Sequence, residues 1–315
     1  MTLRHFLRDD DLTPDEQREV LDRALALKAD PFSDRCLEGP QTVSILFDKQ
    51  TLRTQVSFVG AVSGLGGFPM VVDGRLAGVG VREPVADVAR ILGRQSAAVV
   101  WRTFEQAKLE EMAEYAGVPV VNALTDDFHP CQTLADLLTV RELLGDLAGR
   151  TLAYVGDGAN NMAHSYLLAS ATAGVHVRVG APPSHQPSAA VVARAEEIAA
   201  RTGASVLVTD DAVTAVRGAD VVATDTWVSM GQEEESDTRH GTDGPFEPFR
   251  VDEALMAQAA DHAVFLHCLP AYRGHEVTSA VIDGPRSHVW QEAENRLHAQ
   301  KALLSWLLEH SEVSA

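Results

Sequence analysis

The stretch Thr151-Leu-Ala-Tyr-Val-Gly-Asp-Gly-Ala-Asn-Asn161 decides the fold. A short apolar run ends in a glycine-rich turn, and paired asparagines then open a helix. Such a run, with no polar alternation, reads as a strand covered on both faces, the pattern of a parallel sheet. The same order recurs in both directions. Upstream, the strands are Thr42–Asp48, Phe68–Asp73, Ala97–Thr103 and Val118–Leu124; downstream, they are Val175–Gly180, Ser205–Thr209, Val221–Thr224 and Val264–Leu269. Helical periodicity fills the intervals at Glu105–Ala116, Thr133–Leu144 and Ser188–Thr202, and Gln291–Leu308 reads as a terminal helix. The fold class is therefore α/β, with two doubly wound parallel-sheet domains that break near Gly145–Gly149. Gln232–Phe249, acidic and almost without apolar periodicity, reads as a long loop or lid.

Composition narrows the function. The chain has 315 residues and a net charge of −19, from 26 basic and 45 acidic side chains. So acidic a surface argues against nucleic acid or an anionic membrane as the main partner, while leaving room for a local arginine cluster that takes a small anion. No apolar run is long enough to span a bilayer, the start of the chain is charged, and the cysteines at 36, 131 and 268 show no metal-ligand spacing. A cytoplasmic protein is the reading.

Polar residues collect just after the strands, at the edge where open α/β sheets bind ligands, and point to one cleft between the two domains. Phe47-Asp-Lys-Gln-Thr-Leu-Arg-Thr-Gln-Val-Ser-Phe58 follows a strand and opens a helix. Thr51, Arg53, Thr54 and free backbone N–H groups there form a phosphate site, although Thr51 serves equally as a helix cap. Arg102 follows the apolar run Ala97–Trp101, to clamp a phosphate or carbonyl oxygen or to lie on the surface. His129 and Gln132 can donate to a developing oxyanion, with a structural histidine as the plain alternative. Asp136 fits orienting His129 or capping the helix.

Gly156–Asn161 resembles a dinucleotide loop, but Asn161 stands where the third glycine belongs and Val179-Gly180 occupy the expected acidic position, so a nucleotide-dependent oxidoreductase is weakly supported. Asn160 and Asn161 suit an amino-acid backbone, or cap the helix. Asp225 can hold an ammonium group, and Cys268 can contact substrate or simply pack.

Taken together, these segments resemble the aspartate/ornithine carbamoyltransferase family over nearly the whole chain. Thr51-Leu52-Arg53-Thr54 stands for the family's Ser-Thr-Arg-Thr, and His129–Gln132 for its His-Pro-x-Gln. Asp225 with Ser229-Met230-Gly231, together with His267-Cys268-Leu269-Pro270, matches the ornithine branch. The resemblance implies that residues 1–147 bind carbamoyl phosphate, with a C-terminal helix, 291–315, packing back on them, and that 148–290 bind ornithine. It implies donor contacts from Thr51, Leu52, Arg53, Thr54, Arg102, His129, Gln132, Cys268, Leu269 and Arg296. Acceptor contacts are implied for Asn160, Asn161, Asp225, Ser229, Met230 and Cys268. Catalysis is assigned to Arg102, His129, Gln132, Asp225, Cys268 and Arg296. The products would be L-citrulline and phosphate, in arginine metabolism, made by a homotrimer or a multiple of trimers with no metal or organic cofactor. Leu52, Gln55 and Gly78 depart from the family pattern and leave a paralogue acting on a related amine, or a silent binding protein, as alternatives.

Overall fold

The computed structural model describes residues 3–49, 51–228, 234, 239 and 244–311. The chain divides into two compact units: Met1–Leu138 with Glu294–Ala315, and Thr139–Ala293. Each is built on one parallel sheet.

In the first unit the strands are β1 (Thr42–Phe47), β2 (Phe68–Asp73), β3 (Ala98–Arg102) and β4 (Val120–Leu124), in the order β2-β1-β3-β4. β3 and β4 are buried along their whole length, which explains their mainly apolar sequences, with only Arg102 at the end of β3 and Asn122 within β4 polar. Helices α1 (Pro14–Ala29), α2 (Arg53–Gly64), α3 (Val85–Gln95) and α4 (Gln106–Ala116) belong to this unit. Pro14 at the first helical turn and the reciprocal Thr13–Glu16 capping box start α1. Beneath β3 the core gathers Leu46, Trp101, Leu109, Met112 and Val120.

The second unit continues with β5 (Thr151–Val155), β6 (His176–Gly180), β7 (Val206–Thr209), β8 (Val221–Thr224) and β9 (Val264–His267), ordered β7-β6-β5-β8-β9 and all parallel. Its core packs Val155, Val216, Val222, Phe249 and Phe265. α5 (Pro130–Leu144), α6 (Asn161–Thr172), α7 (Ala189–Thr202) and α8 (Val289–Glu309) complete the long helices.

Both strand orders reverse direction once. In the first sheet the chain passes from β1 outward to β2 and then returns to β3; in the second it passes from β5 through β6 to β7 and returns to β8. At such a reversal neighbouring loops leave in opposite directions and open a crevice at the carboxyl ends of the strands. These points lie between β1 and β3, and between β5 and β8.

Candidate active site

At the β1/β3 switch point the two loops carry the cationic residues. The turn after β1 leads into α2, whose first residue is Arg53, and Thr51 Oγ1 accepts the backbone N–H of Thr54 at 3.3 Å. Thr51 thus performs the capping role while the other amides of the first turn remain at the helix's positive end. Arg102 is the last residue of β3, and its Nη1 lies 3.4 Å from Thr54 Oγ1. Arg296, on α8, donates from Nη2 to the same Oγ1 at 2.9 Å and from Nη1 to Gln132 Oε1 at 2.6 Å. One buried threonine hydroxyl therefore joins two guanidinium groups drawn from segments 194 positions apart in sequence (296 − 102).

Gln132 is held in turn by donating to Asp136 Oδ1 at 2.8 Å. Asp136 lies within α5, so it is not a helix cap; its carboxylate serves Gln132, one turn back on the same face. His129 is buried beside these groups. Burial first, then the charges of Arg296, Arg102, Arg53 and Lys49, hold its imidazole well below the ordinary histidine range. At neutral pH it is an uncharged ring. Lys49 pairs with Asp126 and lies 4.5 Å from the centre of the Phe104 ring.

At the β5/β8 switch point the residues are amides, a carboxylate and a thiol. Asn160 caps α6, its Oδ1 accepting Ala163 N–H at 2.9 Å, while its Nδ2 donates to the Tyr154 hydroxyl at 2.9 Å and faces Asp225 Oδ2 at 3.4 Å. Asn161 follows as the first helical residue, half-buried. Asp225, just past β8, accepts Thr226 N–H at 2.7 Å and Cys268 S–H at 3.1 Å. Burial raises its pKa, against the lowering influences of His267, Cys268 and the Thr226 amide. A buried carboxyl with so few compensating donors is suited to receive a cation. Ser229, Met230 and most of Gln232–Phe249 lie outside the described residues.

Each unit thus gathers its own set: Thr51, Leu52, Arg53, Thr54, Arg102, His129, Gln132 and Arg296 in the first, and Asn160, Asn161, Asp225, Cys268 and Leu269 in the second. Asp225, His267 and Cys268 offer ligand atoms within 4.8 Å of one another. Both His267 nitrogens are already engaged, Nδ1 by Leu269 N–H and Nε2 by Glu276, so a metal would have to break one of these contacts.

Several supporting residues escape sequence reasoning. Gln300, with its amide oxygen toward Arg296, accepts from Nε at 3.1 Å and Nη2 at 3.2 Å and donates to Ser57 at 2.7 Å; its place one turn after Arg296 is the signal that could have found it. Tyr154 reads as one more apolar strand residue, yet its hydroxyl fixes Asn160. Arg239 donates to Asp157 Oδ2 at 2.6 Å and to the Trp227 carbonyl at 2.8 Å, with both charged side chains buried. A contact spanning 82 positions leaves no local pattern.

Comparison with known proteins agrees along both units. Residues 4–142 match the aspartate/ornithine carbamoyltransferase carbamoyl-P binding domain, and 148–307 match the Asp/Orn binding domain of the same family. The chain is 61% identical over 308 residues to an ornithine carbamoyltransferase of Clavibacter sepedonicus, covering 98% of this chain and 99% of that one. It is 57% identical, over the same shares, to one from Mycolicibacterium gilvum. Among solved structures, ornithine carbamoyltransferase from Pyrococcus furiosus matches with a TM-score of 0.93 at 40% identity, covering 99% of both chains. That from Gloeobacter violaceus matches with a TM-score of 0.87 at 45% identity, covering 98% of this chain and 99% of that one.

Proposed function

This chain belongs to the aspartate/ornithine carbamoyltransferase family, and we propose that its two half-sites serve one reaction, transfer of the carbamoyl group of carbamoyl phosphate to the δ-amine of L-ornithine, giving L-citrulline and phosphate. The observation that carries this reading is chemical complementarity at the two switch points. One holds arginines and a helix N-terminus, the requirements of a phosphate; the other holds a carboxylate and amides, the requirements of a diamino acid.

On the donor side, Thr51, Arg53, Thr54, Arg102 and the amides around Leu52 take the phosphate. Arg102, His129, Gln132 and Arg296 polarise the carbamoyl carbonyl and stabilise the oxyanion of the tetrahedral intermediate. His129 is kept neutral by its surroundings, so it acts as a hydrogen-bonding group and not as a fifth cation. On the acceptor side, Asn160, Asn161, Ser229 and Met230 hold the amino-acid end, and Asp225 with Cys268 orients the δ-nitrogen. Ornithine's ammonium, with a free pKa of about 10.4, must shed a proton before its lone pair can attack. The C–N bond then forms, the C–O bond to phosphate breaks, and the second amine proton leaves with the phosphate. Positioning two reactants that are already chemically competent supplies much of the acceleration.

The same reading places the enzyme in the cytoplasm, in arginine biosynthesis, as a homotrimer or a multiple of trimers. No helix among the described residues is long and apolar enough to cross a membrane. Support for assembly comes from the edge strand β2 and the segment after it, where Phe68, Val71, Leu76 and Val81 are exposed, Val81 at 87%. Sedimentation equilibrium should return three times 33.9 kDa or a multiple of that mass; a monomer would reject the assembly.

The three departures, Leu52, Gln55 and Gly78, all fall on the donor side. Leu52 is 72% exposed at the start of α2. Gly78 has φ +68°, and a Cβ there would sit 2.9 Å from the Arg82 Cβ, so the turn itself demands glycine. The deciding assay follows phosphate release from carbamoyl phosphate with ornithine, putrescine or N-acetylornithine as acceptor. Preference for ornithine is expected; turnover of another amine with ornithine inert would reject the assignment.

A further inference from the structure

Leu269 is the one non-glycine residue with positive φ among the described residues, at 58°. A side chain with a Cβ is disfavoured in that region, and such outliers persist only where the surroundings fix them. Leu269 follows Cys268 directly, so the strain sits in the turn that aims the thiol at Asp225. The contacts that hold this turn converge on one carboxylate. Leu269 N–H donates to His267 Nδ1 at 2.9 Å. Nδ1 is thereby an acceptor, which puts the ring proton on Nε2, and Nε2 lies 3.2 Å from Glu276 Oε1. The same Oε1 accepts Tyr272 N–H at 2.5 Å, from the far side of the turn. His267 and Glu276 are both fully buried, with side-chain exposures of 0%. Glu276 is anchored through its own carbonyl, which accepts Val251 N–H at 2.9 Å, and the His267 backbone N–H is fixed by Glu292 Oε2 at 2.8 Å.

We infer that Glu276 is a positioning residue for acceptor use: its Oε1 selects the Nε2–H tautomer of His267 and ties down Tyr272, and so holds Leu269 in the left-handed conformation that presents Cys268 to Asp225. Glu276 touches no reacting atom. Its function is that of an acceptor at one point in space, and its negative charge is secondary, because an amide oxygen in the same place would accept both N–H groups. The inference deepens the ornithine-transfer reading and rests on it for its kinetic consequences, while the tautomer of His267 stands apart from that reading.

The test pairs Glu276→Leu with Glu276→Gln. Glu276→Leu removes both acceptor contacts and should raise the KM for ornithine by about tenfold or more while leaving that for carbamoyl phosphate within about twofold. Glu276→Gln should restore the ornithine KM to within about threefold of the parent. A glutamine variant as impaired as the leucine variant, or equal losses for both substrates, would overturn the inference. If Glu276→Leu does not fold, His267→Asn and His267→Gln decide. The asparagine oxygen can take the Nδ1 position and accept Leu269 N–H, so His267→Asn should keep the better ornithine KM; equal impairment overturns the inference. Long-range ¹H–¹⁵N spectra of histidine-labelled protein, with His267 assigned by its loss in His267→Asn, should show Nε2 protonated and Nδ1 bare. Protonation at Nδ1 would refute the inference even in a protein that makes no citrulline, whereas absent citrulline with the expected tautomer would count against the ornithine reading alone.

Discussion

Replacing Thr54 by valine removes one oxygen and almost nothing else. The two side chains have nearly the same shape, and Thr54 is buried, so no cavity opens and no water enters. What disappears is the acceptor for Arg296 Nη2 at 2.9 Å, and the longer contact to Arg102 Nη1 at 3.4 Å. A hydrogen bond to a charged group contributes about 1.5–3 kcal/mol, and the 3.4 Å contact adds little, so the variant should lose about 2–3 kcal/mol. For a unit of this size that loss lowers the melting temperature by roughly 4–12 °C. Thr54→Ser keeps the hydroxyl and should lose only about 1 kcal/mol, the cost of a buried methyl group. Calorimetry on the ligand-free proteins measures both. Steady-state kinetics should show a raised KM for carbamoyl phosphate in Thr54→Val, with the ornithine KM unchanged. Stability within about 0.5 kcal/mol of the parent, or a serine variant as unstable as the valine one, would refute the role of the hydroxyl as the junction of two arginines.

Three further outcomes follow from the same groups. His129 has its folded pKa depressed, so the unfolded chain binds the proton first as pH falls; stability is full above about 6.5 and declines below it, and His129→Gln should flatten that part of a stability–pH curve measured by urea unfolding. Asp225 has its folded pKa raised, so its contribution is full below about 3.8 and is lost as pH rises through the folded value; Asp225→Asn should hold or gain stability at neutral pH while ornithine affinity in calorimetric titration falls by roughly 10- to 100-fold. Arg239→Leu leaves the Asp157 carboxylate buried without that ion pair and should destabilise the protein by about 3–5 kcal/mol, with Asp157→Asn in the same chain recovering much of the loss in a thermal melt.

The fold was legible because most of its strands are buried, β2 and β7 at the sheet edges excepted. Ala98–Arg102, Val120–Leu124 and Thr151–Val155 are wholly buried, and such strands leave short, mainly apolar runs without polar alternation. Two of the long helices carry sequence signals of their own: the Thr13–Glu16 capping box with Pro14 announces α1, and Val85–Gln95 is amphipathic with Val85 and Ala89 inward. The polar clusters were legible for a different reason, since in a parallel sheet the residues just past each strand are the ones free to meet a ligand. What the sequence concealed is the pairing behind them. Glu276 is one acid among 45 Asp and Glu residues until His267 and Tyr272 are found on its oxygen. Arg239 lies in a stretch whose composition suggested only a loop, and Tyr154 carries its hydroxyl inside a strand chosen for its hydrophobicity. Hydrogen-bond partners across the chain have no period, so only coordinates reveal them.

The most direct trial of the central claim is a single-turnover experiment. Enzyme loaded with carbonyl-labelled carbamoyl phosphate is mixed with ornithine, and the label is followed into product. If the cationic and carboxylate half-sites serve one transfer, the label appears in citrulline with the parent enzyme and fails to appear at a comparable rate in either Arg53→Ala or Asp225→Asn. Label that stays in the donor with the parent enzyme, or that reaches citrulline as fast in both variants, would contradict it.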